Sequence, residues 1–573
     1  MATLLTGNLS IFVAVHLWLL EPYPALIMEV PILKGEMMKP VVDLEYSFPD
    51  AENYRRREFK DKFNRTFLSD DYTKDILKPE ISFLMGEKGA GKTAYAVYLS
   101  NNRVENNICD IKFIRETEYQ KFVSLKKERH LDLSDYTNIW RVILLLMLSK
   151  QISEKEPNII PRFIKFKALH DAIEEYYLHA FSPEIIHALQ FVQESKLAAE
   201  FLSKHAKAIG EQKESFSFSE SRFQTNLLYI QKSFEKALSD LKLSNNHTLF
   251  VDGIDIRPTG IPYDEYLDCV KGLANAIWQL NNDFFPSIRD SKGRLKTVLL
   301  VRPDIFNSLG LQNQNTKLRS NSVYLDWRTT YENYRSSSLF RMTDKLLRSQ
   351  QETDEQSRLI QDGAAWDSYF PYKTTSVNVD DNSSFIGFLR YSFYRPRDII
   401  MMLEFLSENA KEKHQNTKEH FLHDDFENPH FKKKLADHLL GEIKDQISFY
   451  YTSEDYEFFL KFFEFLDGRT RFTYEEYISA HTKLISFIKT TGNPIPKFMD
   501  TANDFLQFLY ELNVICYIET VDQGQNFIHW SFRDKNYSNF TPKVKGDVRY
   551  EIFYGLIRAV SSGKKIRKEV AIQ

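Results

Sequence analysis

The chain has 573 residues, of which 43% are hydrophobic and 27% are charged, and it contains only 20 Gly and 19 Pro. This composition excludes a disordered chain, a collagen-like repeat and a polytopic membrane protein, and the length predicts several domains. The 75 Lys and Arg against 79 Asp and Glu give a net charge of −4, which excludes a uniformly basic, nucleic-acid-binding surface. The three cysteines are far apart and lack metal-ligand spacing, which favours a reducing cytoplasmic location.

Residues 1–37 are predicted to be a hydrophobic N-terminal extension. No charged residue occurs from Ala2 to Leu20, and the first basic side chain is Lys34. A membrane span needs about 20 largely apolar residues, and a secretory signal needs a basic start. The segment fits neither pattern well, so we expect an extension with an internal Met as the working start and no membrane association. A membrane anchor and a secretory signal are the alternatives.

Strands alternate with helices over much of residues 38–345. A helix is predicted near 52–67, and short buried strands at 81–85, 247–251 and 296–301, with a further candidate strand at 322–326. A helix near 263–280 separates two of these strands. This alternation predicts an α/β domain with a parallel sheet. The pattern from about 110 to 245 is mostly helical, which predicts a helical insertion at about 115–245.

The first predicted strand leads directly into a phosphate-binding motif, G-x-x-x-x-G-K-T, and a helical pattern follows it. The motif consists of Gly86, Glu87, Lys88, Gly89, Ala90, Gly91, Lys92 and Thr93. Its glycines allow backbone N–H groups to surround phosphate oxygens at a helix N-terminus. We expect Lys92 to reach the β- and γ-phosphates and the Thr93 hydroxyl to ligate Mg²⁺. The motif therefore predicts a site for ATP and Mg²⁺.

A second predicted strand supplies carboxylates. It ends at Asp252, which we expect to hold Mg²⁺ directly or through water. Gly253 follows, where many fast ATPases have a Glu that polarises the attacking water. Asp255 is the nearby candidate for orienting this water, and an ordinary turn residue is the alternative.

Two arginines are candidates for contacting the γ-phosphate. Arg302 directly follows the strand at 296–301, and a loop salt bridge is its alternative role. Arg395 and Arg397 flank Pro396 at a predicted helix start. Either could contact the phosphates from a helical lid at 346–440, with solvated arginines as the alternative.

Residues 441–573 are predicted to form a winged-helix-like domain with a basic tail, because three helices precede a hairpin of strands at 514–519 and 526–533. The candidate recognition helix at 501–513 contains no Lys or Arg. Residues 441–530 carry 7 Lys and Arg against 14 Asp and Glu, whereas 531–573 carry 10 against 4. We expect the domain to pack mainly against protein, and any DNA contact to be nonspecific and made by the basic tail.

In this order, the motifs at 86–93, 248–255, 301–303 and 395–398 resemble those of bacterial FunZ-like P-loop ATPases, which are related to the STAND and origin-recognition branches of AAA+ ATPases. The resemblance implies a P-loop NTPase core with Lys92, Thr93 and Asp252 as nucleotide and Mg²⁺ ligands. It also implies that Arg302 is sensor-1-like and Arg397 sensor-2-like.

The expected function is a nucleotide-controlled switch, acting as a homo-oligomer or on a protein effector. The resemblance associates such a switch with phage defence or mobile elements. Gly253 departs from the commonest AAA+ pattern, which indicates slow hydrolysis. A DNA-binding initiator or transposition regulator is one alternative function, and a small-molecule kinase is another.

Overall fold

The computed structural model describes residues 38–46, 51–114, 133–155, 228, 231–232, 234–258, 260–351, 360–373, 383–520, 526–535 and 541–560. By backbone contacts the chain divides into two units, Met1–Met38 and Lys39–Gln573. Every element named below belongs to the second unit. The predicted extension at 1–37, most of the predicted insertion and the end of the basic tail at 561–573 lie outside the described residues.

A five-stranded, all-parallel sheet forms the centre of the first half of the chain. Its strands are β1 (Phe83–Met85), β2 (Asn107–Phe113), β3 (Asn246–Asp252), β4 (Leu295–Val301) and β5 (Ser322–Tyr324). Their spatial order is β2-β3-β4-β1-β5, so β4 lies between β1 and β3 and pairs with both. The predicted parallel α/β sheet is therefore confirmed. The carboxyl ends of β1, β3 and β4 share one edge of the sheet, where open α/β folds bind their ligands.

The sequence does not predict strand β2, and the mostly helical pattern expected from about 110 onward includes its residues 110–113. This assignment is wrong for residues 110–113, which pair in parallel with β3. β2 lies at the edge of the sheet, and its sequence includes the polar residues Asp110 and Lys112. The predicted strands at 247–251 and 296–301 each contain an uninterrupted apolar segment, Leu249–Val251 and Val298–Val301, as expected for strands buried on both faces.

Helices cover this sheet. Those described are α1 (Arg57–Thr66), α2 (Asp71–Asp75), α3 (Lys92–Asn101), α4 (Leu133–Lys155), α5 (Tyr263–Gln279), α6 (Pro303–Ser308) and α7 (Gln314–Asn321). The predicted helix at 52–67 is a 3₁₀ helix at Ala51–Arg55 followed by α1, and the one at 263–280 is α5, which continues as a π-helical turn, Leu280–Phe284.

The apolar helix α4 packs closely against α5. A Cβ at Gly272 of α5 would lie 2.5 Å from the Cβ of Tyr136, so only glycine permits this approach. The indole N–H of Trp140 donates a hydrogen bond to the backbone oxygen of Cys269 at 3.1 Å. Within the described parts of the chain, no helix is both long and apolar enough to cross a membrane.

A helical region follows the sheet. It contains α8 (Ser338–Arg348), α9 (Ala364–Tyr369), α10 (Ser384–Arg390), α11 (Pro396–Glu412), α12 (His423–Phe426) and α13 (Pro429–Tyr450). Helix α11 begins at Pro396, as its sequence predicts. The domain boundaries predicted after 345 and after 440 fall inside α8 and α13, and both helices continue through those positions.

The C-terminal region contains a second sheet. The strands of this sheet are β6 (Arg471–Thr473), β7 (Ile515–Thr520), β8 (Asn526–His529) and β9 (Arg549–Ile552). The described helices of the region are α14 (Ser453–Phe465), α15 (Tyr474–Thr491), α16 (Ala502–Glu511), α17 (Ser531–Asp534) and α18 (Ile557–Val560). The strands pair antiparallel in the order β6-β9-β7-β8. The predicted pairing of β7 with β8 is confirmed, whereas the short strands β6 and β9 were not predicted. The winged-helix interpretation stays a prediction.

Candidate nucleotide-binding site

The loop between β1 and α3 has the backbone geometry of an anion-binding turn. Gly89 and Gly91 adopt φ angles of +84° and +92°, which side-chain-bearing residues rarely adopt. Gly91 is the N-cap residue of α3, so the free N–H groups of a ten-residue helix begin at this loop. At Gly89, an added Cβ would lie only 3.1 Å from the Cβ of Arg397, so glycine also permits a close approach by α11.

Lys92 is held inside this loop. It is only 6% exposed, and its Nζ donates hydrogen bonds to the backbone oxygens of Gly86 at 2.9 Å and Glu87 at 3.3 Å. The same Nζ lies 3.7 Å from Oδ2 of Asp255. The ammonium group therefore lies between the loop that follows β1 and the acidic end of β3.

Thr93 and Asp252, the two predicted Mg²⁺ ligands, are in direct contact. The Thr93 hydroxyl donates a hydrogen bond to Oδ2 of Asp252 at 2.6 Å, and Oδ1 accepts one from the Gly253 N–H at 2.8 Å. Burial raises the pKa of Asp252 to about 6. The Thr93 hydrogen bond and Lys92 oppose this shift, and the charge of Asp255 adds to it.

The donor set fits Mg²⁺ better than a cation that requires an all-protein cage. Among the described residues, no group of three or more His, Cys, Asp and Glu side chains could hold a metal ion. Mg²⁺ is commonly bound through one or two carboxylates together with substrate phosphates and waters. One carboxylate and one hydroxyl beside a phosphate-binding loop match that mode.

Asp255 has an unsatisfied oxygen at this site. Its Oδ1 is buried and has no hydrogen-bond partner in the described structure, while Oδ2 faces Lys92. A buried acceptor of this kind can take a hydrogen bond from a bound water or ligand. A water molecule oriented by Asp255 would satisfy it.

A cavity of about 270 Å³ opens from the loop. Its polar wall includes Lys92, Thr93, Asp252 and Asp255. The remaining lining is mainly apolar and includes Tyr54, Phe63, Phe67, Leu346, Ile400 and Met401. Such a cavity can hold charged phosphates at one end and a planar base at the other. Arg397 also lines this cavity, and its contact with the phosphates stays a prediction.

The start of α11 is attached to the loop by both candidate arginines. Arg395 is buried, pairs with Asp398 and donates from Nη1 to the backbone oxygen of Lys88 at 2.9 Å. The backbone N–H of Arg397 donates to the Gly89 oxygen at 3.3 Å. The guanidinium of Arg397 instead contacts Glu442, with Nη1 and Oε1 3.3 Å apart.

Arg302 occupies the arrangement given above as its alternative, a salt bridge. It is only 1% exposed and forms a two-point pair with Asp304, whose Oδ2 also accepts the Tyr450 hydroxyl at 2.7 Å. Burial alone would raise the pKa of Asp304, but the Arg302 guanidinium holds it well below its usual range. Arg302 is absent from the described residues that line the cavity, and its γ-phosphate contact stays a prediction.

Sequence reasoning missed three charged contacts to the loop. Glu442 of α13 lies 3.5 Å from Nζ of Lys88 and contacts both Arg395 and Arg397. Burial would raise the pKa of Glu442, but these three cations lower it. Asp445 lies 2.5 Å from Lys88, and Lys535 lies 3.3 Å from Glu87. These partners are hundreds of residues from the loop, so no local pattern reveals them.

No protein-family model and no curated protein sequence matches the chain. The assignment of the site therefore depends on its motif and on the contacts described above.

Proposed function

We propose that the chain binds ATP with Mg²⁺ at this site, hydrolyses it slowly and acts as a nucleotide-controlled switch. The observation that carries the proposal is the direct contact between Thr93 and Asp252 beside a loop with two left-handed glycines and a buried lysine. Lys92 and Thr93 begin the helix after the β1 loop, whereas Asp252 ends β3, and the two parts of the chain meet at the carboxyl ends of strands in an all-parallel sheet. A glycine-rich turn of purely structural function does not require a carboxylate and a hydroxyl to meet beside it.

Each residue has a distinct role in this proposal. The loop N–H groups and Lys92 bind the phosphates, and Lys92 would exchange its backbone acceptors for phosphate oxygens. Thr93 and Asp252 would hold Mg²⁺, which supplies positive charge to the β- and γ-phosphates. Asp255 would accept a hydrogen bond from the attacking water through its unpaired Oδ1. Release of phosphate without an acceptor molecule would distinguish this activity from that of a kinase.

The contacts at α11 and α13 support a switch. Arg397 lines the cavity but is paired with Glu442, so a bound γ-phosphate would compete with Glu442 for the guanidinium. Occupancy of the site would thereby alter how α13 is attached to the loop. The action on a protein effector or within a homo-oligomer, and the role in phage defence or mobile-element biology, are further proposals derived from the resemblance.

The proposal is tested by the dependence of ATP binding on Mg²⁺. Thr93→Val removes the hydroxyl with little change in shape, whereas Thr93→Ser retains it. We expect Mg²⁺ to strengthen ATP binding in the wild type and in Thr93→Ser, and to have little effect in Thr93→Val, as measured by titration calorimetry with and without Mg²⁺. An equal Mg²⁺ effect in all three proteins would refute the assigned ligand.

A further inference from the structure

The turn after β3, residues 253–257, carries Asp255 and is called the Asp255 turn below. Its first residue packs directly against the chain that follows β2. Gly253 has a φ angle of +94°, and an added Cβ would lie 2.4 Å from the backbone oxygen of Ile114, so only glycine fits at this position. The Gly253 N–H also donates to Oδ1 of Asp252 at 2.8 Å. These contacts fix the direction in which the chain leaves β3.

Tyr266 of α5 contacts the Asp255 turn on both sides of Asp255. The side chain is fully buried, and its hydroxyl donates a hydrogen bond to the backbone oxygen of Ile254 at 2.8 Å. The same hydroxyl lies 3.2 Å from the backbone oxygen of Ile256. Because these two residues flank Asp255, the contacts restrict the backbone of Asp255 and with it the direction of its side chain.

Arg257 attaches the far end of the Asp255 turn to helix α13. Its Nε donates to the backbone oxygen of Phe449 at 2.7 Å, and its Nη1 donates to the backbone oxygen of Ile261 at 2.7 Å. Phe449 is the second-last residue of α13, and the last four carbonyls of a helix receive no hydrogen bond from within it. A cation at this end is also favoured by the helix dipole. Arg257 therefore connects the turn to the helix that carries Glu442.

We propose that Tyr266 and Arg257 are positioning residues for ATP hydrolysis, which hold the Asp255 turn so that Oδ1 of Asp255 faces the attacking water. The inference rests on the proposed function of this site. An oxygen that accepts from water must stay free of protein donors, so the direction of the carboxylate has to be set through the backbone. Neither Tyr266 nor Arg257 is among the described residues that line the cavity, so both act through Asp255 and leave ATP binding unaffected.

The first test is steady-state phosphate release by the full chain carrying Tyr266→Phe, which removes the hydroxyl and keeps the ring. We expect kcat to fall about tenfold, because a small displacement of a catalytic group is costly, and KM for ATP with Mg²⁺ to stay unchanged. Tyr477→Phe is the matched control. Tyr477 is also fully buried, and its hydroxyl donates to the backbone oxygen of Ala502 at 2.6 Å in the C-terminal region. It should lower the melting temperature to a similar extent without changing kcat.

The second test repeats the measurement in the Asp255→Asn background. Adding Tyr266→Phe there should cause little further loss of rate, because the carboxylate that Tyr266 positions is already absent. A merely structural role would lower the rate by the same factor in both backgrounds. Arg257 is half-buried, so Arg257→Gln serves as the second variant if Tyr266→Phe does not fold, and the same dependence on Asp255 is expected.

The outcomes separate this inference from the proposed function. If the wild type releases phosphate from ATP with Mg²⁺ but both Tyr266→Phe and Arg257→Gln keep its kcat, the positioning role is overturned and the ATPase activity stands. Equal factors of loss with and without Asp255 would also overturn it. If the wild type releases no phosphate, the proposed function is refuted and the positioning role is refuted with it.

Discussion

Replacing Asp252 with Asn should stabilise the nucleotide-free protein at neutral pH. Asn keeps the shape of Asp252. Its NH₂ group can donate a hydrogen bond to the Thr93 hydroxyl, and its oxygen can accept one from the Gly253 N–H. The substitution removes a negative charge that is buried beside Asp255. In the proposed function the carboxylate is needed only when Mg²⁺ and nucleotide are bound. In their absence its buried negative charge lowers the stability of the folded protein.

The size of the effect follows from the pKa of Asp252, which burial raises from 3.8 to about 6. Because the pKa is raised in the folded state, the protonated carboxyl favours folding. Its contribution is fully present below pH 3.8 and is lost as the pH rises through about 6. A shift of about two units corresponds to about 3 kcal/mol. The advantage of Asp252→Asn should therefore grow from near zero at pH 3.8 to about 3 kcal/mol above pH 6.

The assay is denaturant unfolding of the wild type and Asp252→Asn between pH 4 and pH 8, without nucleotide or Mg²⁺. Asp304→Asn is the control, and it should change the free energy of unfolding in the opposite direction. Arg302 lowers the pKa of Asp304, although burial alone would raise it. That variant should be less stable than the wild type at neutral pH, because it leaves the buried Arg302 without its charged partner. Adding Mg²⁺ and ATP should then stabilise the wild type more than Asp252→Asn. A variant that is no more stable than the wild type at any pH would refute the reasoning.

Two further substitutions test residues around the site. Asp255→Asn should retain ATP binding but slow phosphate release about 100-fold in a steady-state assay, because it loses the carboxylate proposed to orient water. Hydrolysis at the wild-type rate would show that Asp255 is an ordinary turn residue. Glu442→Gln should tighten ATP binding several-fold in a fluorescence titration, because Arg397 loses its charged partner. Asp445→Asn, which removes only a contact to Lys88, should change binding little, and weaker binding in Glu442→Gln would contradict the switch.

The parts of the fold that sequence could predict are those specified by contiguous residues. The loop between β1 and α3 depends on glycine positions within eight residues, and β3 and β4 contain the buried apolar segments Leu249–Val251 and Val298–Val301. The edge strand β2 has polar residues among its apolar ones, and the strands β6 and β9 have only three and four residues. Their pairing is determined by partners elsewhere in the chain, so their own sequences carry weak signals.

The candidate site likewise contains residues that the local sequence places and contacts that depend on distant parts of the chain. Lys92 and Thr93 are placed by the local motif, and Asp252 by the end of an apolar strand. The pairing of Arg302 with Asp304 had a local signal, since the two residues are two positions apart. However, the burial of that pair depends on Phe449 and Tyr450 at the end of α13, about 150 residues downstream. The contact of Arg397 with Glu442 likewise arises from the packing of α13 against the loop, which no local pattern encodes.

The most direct test of ATP binding at the loop compares two buried lysines. Lys92 and Lys296 are 6% and 5% exposed, and each donates hydrogen bonds from Nζ to two backbone oxygens. Only Lys92 lies at the loop, which follows the carboxyl end of β1. Lys296 is near the start of β4, at the amino-terminal end of the parallel strands. Titration calorimetry with Mg²⁺ and ATP should show binding weakened at least about tenfold in Lys92→Met and unchanged in Lys296→Met. Equal binding by Lys92→Met and the wild type, or equal losses in both variants, would contradict the account.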